Sequence, residues 1–556
     1  MADAAMDPGI RQMTIGGVLA MQAAVYGAHP FLRFEGTDTS YAEAHRQTDL
    51  LAAGFAAAGI GHGTHVAIML GNRPEFIWTY FALGKLGAVS VPINTAAKGA
   101  LLAYYLDHSD ATVLVVDAGL VARLAGLPCP PAAIGTVVLV GSEPGSKLPA
   151  GLAGHASVHD YDTLAAHAGP APPADVRFND IFMFQYTSGT TGPSKANVTP
   201  HASALYVAYD FRHGFGYGPA DVLFTCLPLF HGNAFLCSTL PALVSGATLA
   251  LSRRFSATSF WQELAQAGAT QFNALGAMSS ILFGRPPAAT DRAHRVRQCM
   301  MVPVPAFGHD FEARFGLRIT SVFAMTDYGT VTLRTMDDPA AKFESAGRAR
   351  PEVSVAIMDD DDIPVPPGVT GEICLRSNRP WSASLGYYKM LEGTLAATRN
   401  LWFHTGDRGH LDADGYLYFV DRKKDAIRRR GENISSFEVE QVISRHPDVA
   451  EVAAFPVRAE MQEDEVMVSV VLRPGTMLTE HDLIGFCAGA MAYYMVPRFV
   501  EYVPELPKTM TEKVEKYKLR AAAEARIGAQ MGVRIGARIG KVWDREQHGI
   551  VVKRDF

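Results

Sequence analysis

Residues 186–195 read YTSGTTGPSK and follow the apolar run DIFMFQ at 180–185. The run has the texture of a buried strand, so the ten residues form the loop that leaves it. Such a loop offers backbone amides, hydroxyls and one ammonium, and little else. Its natural occupant is an oxyanion, above all a phosphate. Gly189 and Gly192 let amides come close, Thr187, Ser188, Thr190 and Thr191 donate further hydrogen bonds, and Lys195 adds charge. The spacing Gly189, Gly192, Lys195 is not that of a P-loop, whose lysine directly follows its second glycine. No complete G-x-G-x-x-G occurs, and no G-x-S-x-G surrounds Ser188, which sets aside a dinucleotide fingerprint and a hydrolase elbow.

The chain has 556 residues, enough for two to four domains, with 48% hydrophobic and 19% charged residues, a globular balance. A net charge of −6 argues against a general nucleic-acid binder, although basic residues cluster in DRKKDAIRRRG at 421–431. The cysteines (Cys129, Cys226, Cys237, Cys299, Cys374, Cys487) form no C-x-x-C pair, which points to a reducing, cytoplasmic setting rather than a zinc or disulfide framework. No apolar run is long enough for a membrane span, and the N-terminus lacks signal-peptide character.

Short β-rich runs alternate with helical periodicity along most of the chain. THVAIML, VSVPIN, TVLVVD, DVLFTCLPL, ATLALS and ATQFNAL read as strands, with helices between them such as NRPEFIWTYFALGKLGA. That alternation predicts parallel sheets flanked by helices. From about residue 351 the texture becomes short strands between Asp/Pro/Gly turns, the mark of a small β-rich module. A further α/β unit follows residue 421. The imperfect repeat RIGAQMGVRIGARIG near the C-terminus reads as a helix end plus linker.

Five other segments follow the opening loop in order: PLFHGNAF (228–235), FAMTD (323–327), WFHTGD (402–407), DRKKDAIRRRGENISSFEVE (421–440) and LPKTMTEKVEKYKLR (506–520). Together with YTSGTTGPSK they resemble the signature set of the AMP-forming acyl-CoA synthetases. These belong to the adenylate-forming superfamily, which also holds peptide-synthetase adenylation domains and luciferases. The resemblance runs from about residue 31 to residue 520. TMTEKVEKYKLR and LGNRPEFIWTYFALGKLGAVSVPINT are most similar to crotonobetaine/carnitine-CoA-ligase-like bacterial members.

The resemblance implies an α/β fold with a large N-terminal domain (1–420) of two α/β subdomains and a β-rich one. A hinge at 421–425 would lead to a small mobile α+β domain (426–556). It implies ATP, Mg2+ and coenzyme A as cofactors and a carboxylic acid, or its adenylate, as substrate, with a homodimer as one assembly. The acid attacks the α-phosphate of ATP, pyrophosphate leaves, and a thiol then displaces AMP. Thr187 to Lys195 would embrace the β- and γ-phosphates, Thr326 the α-phosphate, and Asp327 would be the magnesium ligand. Val302, Pro303, Phe323, Ala324 and Met325 would line the nucleotide, and Asp407 and Arg422 would hold the ribose. Lys513 would neutralise charge as the adenylate forms. Lys424 would be the pivot that swings it away and brings Arg429, Arg430, Gly431 and Glu432 to the CoA entrance. His231 would gate the acyl and thiol channels, and Phe235, Asn273, Gly276 and Ala324 would shape the acyl pocket.

The sequence departs from the family pattern on the ATP side. Phe-Ala-Met-Thr-Asp stands for the usual Tyr-Gly-Met-Thr-Glu, and Asp327 retracts its carboxylate by one methylene, about 1.5 Å. KAN follows the loop where KG is usual, Met301 stands where Gly is common, and Glu512 precedes Lys513 in place of Gly. Two readings stay open: a complete ligase, or a member that only transfers a ready-made acyl-adenylate to CoA. A luciferase-like or freestanding adenylation enzyme shares the same motifs.

Overall fold

A computed structural model describes residues 8–127, 131–142, 154, 156–169, 174–187, 194–422, 427–429, 432–434, 436–458, 464–491, 495–508, 513–532 and 542–545. Packing divides the chain into two units. The first comprises 1–303, 311–354 and 376–398; the second comprises 304–310, 355–375 and 399–556.

Two sheets build the first unit. The seven-stranded one runs Ser157–Asp160, Thr136–Val140, Val113–Asp117, His65–Met69, Val89–Pro92, Ile181–Thr187 and Lys195–Pro200. All its neighbours are parallel except the last pair, an antiparallel hairpin. Its central strands are buried on both faces, which is why VAIM and VLVV read as unbroken apolar runs. The helix Pro74–Leu86 has proline in its first turn and ends at Gly87 in the left-handed conformation, φ 68°.

The nine-stranded sheet holds a parallel centre of Arg318–Met325, Gln298–Val302, Gln271–Leu275, Val222–Thr225, Thr248–Leu251 and Pro30–Phe34. Antiparallel strands flank it: Gly329–Arg334 and Arg348–Ala349 on one side, Thr37–Ser40 on the other. Asn72 joins the ends of the two sheets. Its Nδ2 donates to the Leu227 and Ser252 carbonyls, both at 2.9 Å, and its Oδ1 accepts from Leu229 N at 2.9 Å.

The second unit holds the expected β-rich module, Val353–Met358, Gly371–Ser377, Phe403–Leu411 and Leu417–Arg422. It also holds a four-stranded sheet of Val449–Arg458, Asp464–Leu472, Phe499–Tyr502 and Trp543–Asp544. Helices Ser436–Ile443 and Glu480–Ala490 cover this sheet through a core that includes Val439, Ile443, Val468, Leu483 and Ile484. The first residues of the Arg/Ile/Gly repeat belong to helix Lys516–Gly532; the remainder lies outside the described residues.

His201 opens helix His201–Phe215 and has no exposed surface. Its Nδ1 accepts from Ile15 N at 3.2 Å, and burial lowers its pKa to about 4. A His with a depressed folded pKa is neutral in the fold but takes up a proton on unfolding. Stability should therefore be full above the ordinary His value and fall as pH drops from about 6.5 to about 4, by up to about 3 kcal/mol. Thermal melting of His201→Asn, followed through the same range, should lack most of that slope.

Candidate active site

The opening loop is the tip of a hairpin. Thr187 pairs with Lys195, Tyr186 with Ala196, Gln185 with Asn197 and Phe184 with Val198. Thr187 Oγ1 donates to the Lys195 carbonyl at 3.4 Å. Residues 188–193, which include Ser188, Gly189, Thr190, Thr191 and Gly192, lie outside the described residues. Ala196 has no exposed surface and packs with Val89, Val91, Phe184 and Val198, so its methyl fills the core.

The Lys195–Pro200 strand has a partner on its other side as well. Val198 N donates to Gly386 O at 2.9 Å, Leu385 N to Val198 O at 2.9 Å and Tyr388 N to Ala196 O at 2.9 Å. This register sets Tyr387 opposite Asn197 and brings the Lys195 ammonium over the Tyr387 ring, 4.4 Å from its centroid. The Tyr387 hydroxyl lies near the Asp327 carboxylate; burial, and then the Asp327 charge, push the Tyr387 pKa upward. Asn197 Nδ2 donates to Thr326 O at 2.6 Å. Sequence reading missed both Tyr387 and Asn197. The KAN departure was the signal for Asn197; Tyr387, about 190 positions downstream, left none.

Thr326 and Asp327 follow the strand Arg318–Met325, whose register with Gly329–Arg334 shifts between Phe323 and Ala324. Such an irregularity re-aims side chains at a strand end. Phe323 is buried, its N–H donating to Thr332 Oγ1 at 3.1 Å, whereas Ala324 is exposed and Met325 half-buried. Val302 and Pro303 end the neighbouring strand, with Val302 opposite Leu275, the residue before Gly276. The pairing between Gln298–Val302 and Arg318–Met325 stops at Met300 opposite Thr320, so the two ends part beyond it. All these residues therefore gather at the C-terminal edge of parallel strands, the ligand-binding edge of open α/β sheets.

His231 follows the strand Val222–Thr225 at that edge, half-buried, its ring edge-on to Phe230 at 4.5 Å. A Cβ on the next residue, Gly232, would stand 2.9 Å from Gln185 Nε2, so glycine admits the phosphate-loop strand's side chain. Two expected pocket residues are packing residues here. Phe235 has no exposed surface; its ring stacks on Tyr80 at 3.9 Å and on Phe182 at 6.0 Å. Asn273 is buried and donates to Asn233 Oδ1 at 3.0 Å, Ser238 Oγ at 3.1 Å and Cys237 O at 3.2 Å, tying its strand to the π-helical turn Phe235–Thr239. Cavities of about 410 and 400 Å3 open elsewhere on the first unit, one beside Arg73 and Trp78, the other beside Tyr206 and Arg379. Neither is lined by a residue expected in the site.

In the second unit, Asp407 and Arg422 are direct cross-strand partners. Thr405 Oγ1 accepts from Asp407 N at 3.0 Å and donates to Ile373 O at 2.8 Å, while Glu372 accepts from Gly406 N at 3.2 Å. His404 Nδ1 stands 3.3 Å from both Glu372 and Cys374, so a buried polar cluster supports the HTGD turn from beneath. Lys513 is exposed, just ahead of helix Lys516–Gly532, and Lys508, Lys516 and Lys518 pair with Glu451, Glu440 and Glu515. Lys424, Arg430 and Gly431 lie outside the described residues, and Glu432 is described only as the start of the strand Glu432–Ile434.

Arg429, expected near the CoA entrance, is buried in an ion pair. It is 3% exposed and its guanidinium pairs with buried Glu465 at 2.6 Å, beside Arg498 and Asp544. A guanidinium held in this way forms an internal ion pair rather than a solvated charge.

The AMP-binding enzyme family matches residues 19–388, and its C-terminal domain family matches residues 438–513. The crotonobetaine/carnitine–CoA ligase of Salmonella agona is 31% identical over 511 residues, 90% of this chain and 97% of the relative. That of Salmonella typhimurium gives the same identity and coverage. Among solved structures, an anthranilate CoA ligase in complex with anthranoyl-AMP superimposes with a TM-score of 0.83 at 22% identity, covering 94% of this chain and 99% of that one. A Mycobacterium tuberculosis fatty acyl CoA synthetase gives 0.70 at 26%, covering 92% and 99%. The chain belongs to the family of AMP-binding enzymes, and within it to the acyl-CoA ligases.

Removing one partner of the buried pair should strand the other. Arg429→Ala should destabilise the second unit by about 3 kcal/mol or more, whereas Arg429→Met combined with Glu465→Leu should recover most of the loss. Chemical denaturation of the three proteins measures the difference.

Proposed function

We propose that the protein joins a carboxylic acid to coenzyme A in two steps, with ATP activating the acid as an acyl-adenylate. The observation that carries this reading is the frame that binds Lys195, Tyr387, Asn197, Thr326 and Asp327 to one another at a strand edge. Displacement at the α-phosphate needs little covalent help from the protein; it needs reactants held in line and negative charge met by fixed donors. The 187–195 loop would hold the leaving pyrophosphate and Thr326 the α-phosphate. Asp407 and Arg422, paired across one ladder, would fix the ribose. Lys513 would balance charge between carboxylate and α-phosphate. Met325, Val302 and Pro303 would border the nucleotide, and Ala324, His231 and Gly276 the acyl group.

Magnesium fits this site through Asp327. One carboxylate plus substrate phosphates and water is a usual set for this ion, and Asp327 has the Tyr387 hydroxyl close by. When bound, the ion would neutralise phosphate charge. Asp327 orients its oxygens, and Lys195 contributes a second positive charge from the other side of the Tyr387 ring.

The chemistry divides at residues 421–425, proposed as a hinge centred on Lys424 between a 1–420 body and a 426–556 cap. Rotation would replace Lys513 by the segment around Arg430, Gly431 and Glu432, opening the thiol path. None of the described cysteines forms a disulfide, as suits a reducing cytoplasm. A homodimer is the assembly to test by light scattering. A second reading, transfer of a preformed adenylate without its synthesis, draws on the shortened Asp327.

The deciding assay supplies crotonobetaine, carnitine, anthranilate, o-succinylbenzoate, benzoate and fatty acids, each with ATP and CoA, and detects thioesters by mass spectrometry. Parallel reactions replace acid and ATP by the synthetic adenylate. The complete ligase turns over in both series; product from the adenylate alone supports the second reading, and product in neither rejects both. Lys513→Ala should cut adenylation by at least about 100-fold while sparing thioester formation from the adenylate, which separate assays of the half-reactions resolve.

A further inference from the structure

Asn197 breaks the rule of its own strand. It stands between Ala196 and Val198, both in the apolar core, and it has no exposed surface. A buried side-chain amide is costly unless it is hydrogen-bonded. Its Nδ2 reaches Thr199 Oγ1 at 3.3 Å and Thr326 O at 2.6 Å, and its Oδ1 has no hydrogen-bond partner among the described residues. The short bond to Thr326 O is thus the main return for a polar group in this position. A local rule broken with an evident gain elsewhere points to function rather than packing.

The gain concerns geometry. Thr326 and Asp327 form a turn beyond the last paired residue of their strand, Met325 opposite Gly329. The turn is fastened by Asn197 on the Thr326 carbonyl, and Tyr387 stands near the Asp327 carboxylate. Asn197 and Tyr387 face each other across one bridge, and that bridge lies two residues from Lys195. The turn is therefore registered to the same strand that carries the phosphate-binding lysine.

We propose that Asn197 is a positioning residue for the adenylation step: its amide fixes the Thr326 carbonyl and so keeps the Thr326–Asp327 turn at a set distance from Lys195. The proposal rests on the adenylation reading above. It assigns Asn197 no contact with substrate. A displacement near 1 Å at a reacting centre slows chemistry by up to about 100-fold, so the effect belongs in the turnover rate.

Two nearly isosteric variants test it. Asn197→Val removes the donor; Asn197→Asp replaces it by a carboxylate that regains an O–H donor only when protonated. With MgATP and the acid of highest turnover from the panel, pyrophosphate release by Asn197→Val should fall about 10- to 100-fold in kcat while KM for ATP moves less than about threefold. Thioester formation from the synthetic adenylate should stay within about twofold of the unaltered protein. Asn197→Asp should recover adenylation as pH falls, a limb that Asn197→Val lacks, and melting temperatures of both identify any simple folding defect.

Adenylation by Asn197→Val at the unaltered rate would overturn the proposal, as would parallel loss of both half-reactions. Failure of the unaltered protein to adenylate any acid would overturn the function on which it rests. An indifferent variant of an active protein would remove the tether alone.

Discussion

A single strand with a partner on both sides organises the first unit. Lys195–Pro200 pairs with Ile181–Thr187, from which the chain has just turned, and with residues 385–388, which arrive from far downstream. The first pairing brings Thr187 and Lys195, the two ends of the Ser/Thr/Gly loop, together. The second delivers Tyr387 beneath the lysine that ends that loop. Backbone hydrogen bonds fix both pairings, so polar groups distant in sequence meet with little freedom left to lose. Preorganisation of that kind is what transition-state electrostatics requires, because donors already aimed need no rearrangement as charge develops.

The groups proposed above to take part in the reaction belong to two units of packing. Lys195, Thr326 and Asp327 belong to the first, whereas Asp407, Arg422 and Lys513 belong to the second. The two half-reactions proposed above make opposite demands on their surroundings. The first step puts negative charge on a phosphoryl centre and asks for a cation. The second admits a thiol to the carbonyl of the same adenylate, and the cation is then superfluous. One rigid arrangement would serve one step at the expense of the other; an exchangeable face serves both.

Much of this was legible in the sequence because local chemistry forces it. Unbroken apolar runs such as VAIM and VLVV can only be central strands covered on both faces, and Pro74 and Gly87 bracket their helix at the residues suited to its ends. The Ser/Thr/Gly loop and its lysine announce an anion by composition alone. What escaped were contacts made by register between remote segments. Nothing near Tyr387 says that it will face Asn197, and nothing near Arg429 says that Glu465 will claim it. Burial was equally hidden: Phe235 looks like a pocket wall until Tyr80 and Phe182 are seen on its faces. Sequence patterns carry residue type and period, whereas these outcomes depend on which strands become neighbours.

The departures from the family pattern can be weighed in the same terms. A site decaying after loss of function would accumulate changes with no relation to one another. Here they interlock. The methyl of Ala196 completes a small apolar cluster, and the amide of Asn197 closes on Thr326. The short carboxylate of Asp327 lies near the Tyr387 hydroxyl, whose backbone is zipped to that same strand. Retracting a carboxylate by one methylene costs reach, but a shorter side chain has fewer rotamers to lose and is more readily fixed by one strong donor. The combination exchanges flexibility for placement. It favours a working adenylation site with altered dimensions over a relic of one, because only continued use of Thr326 and Asp327 gives a reason to hold them so firmly.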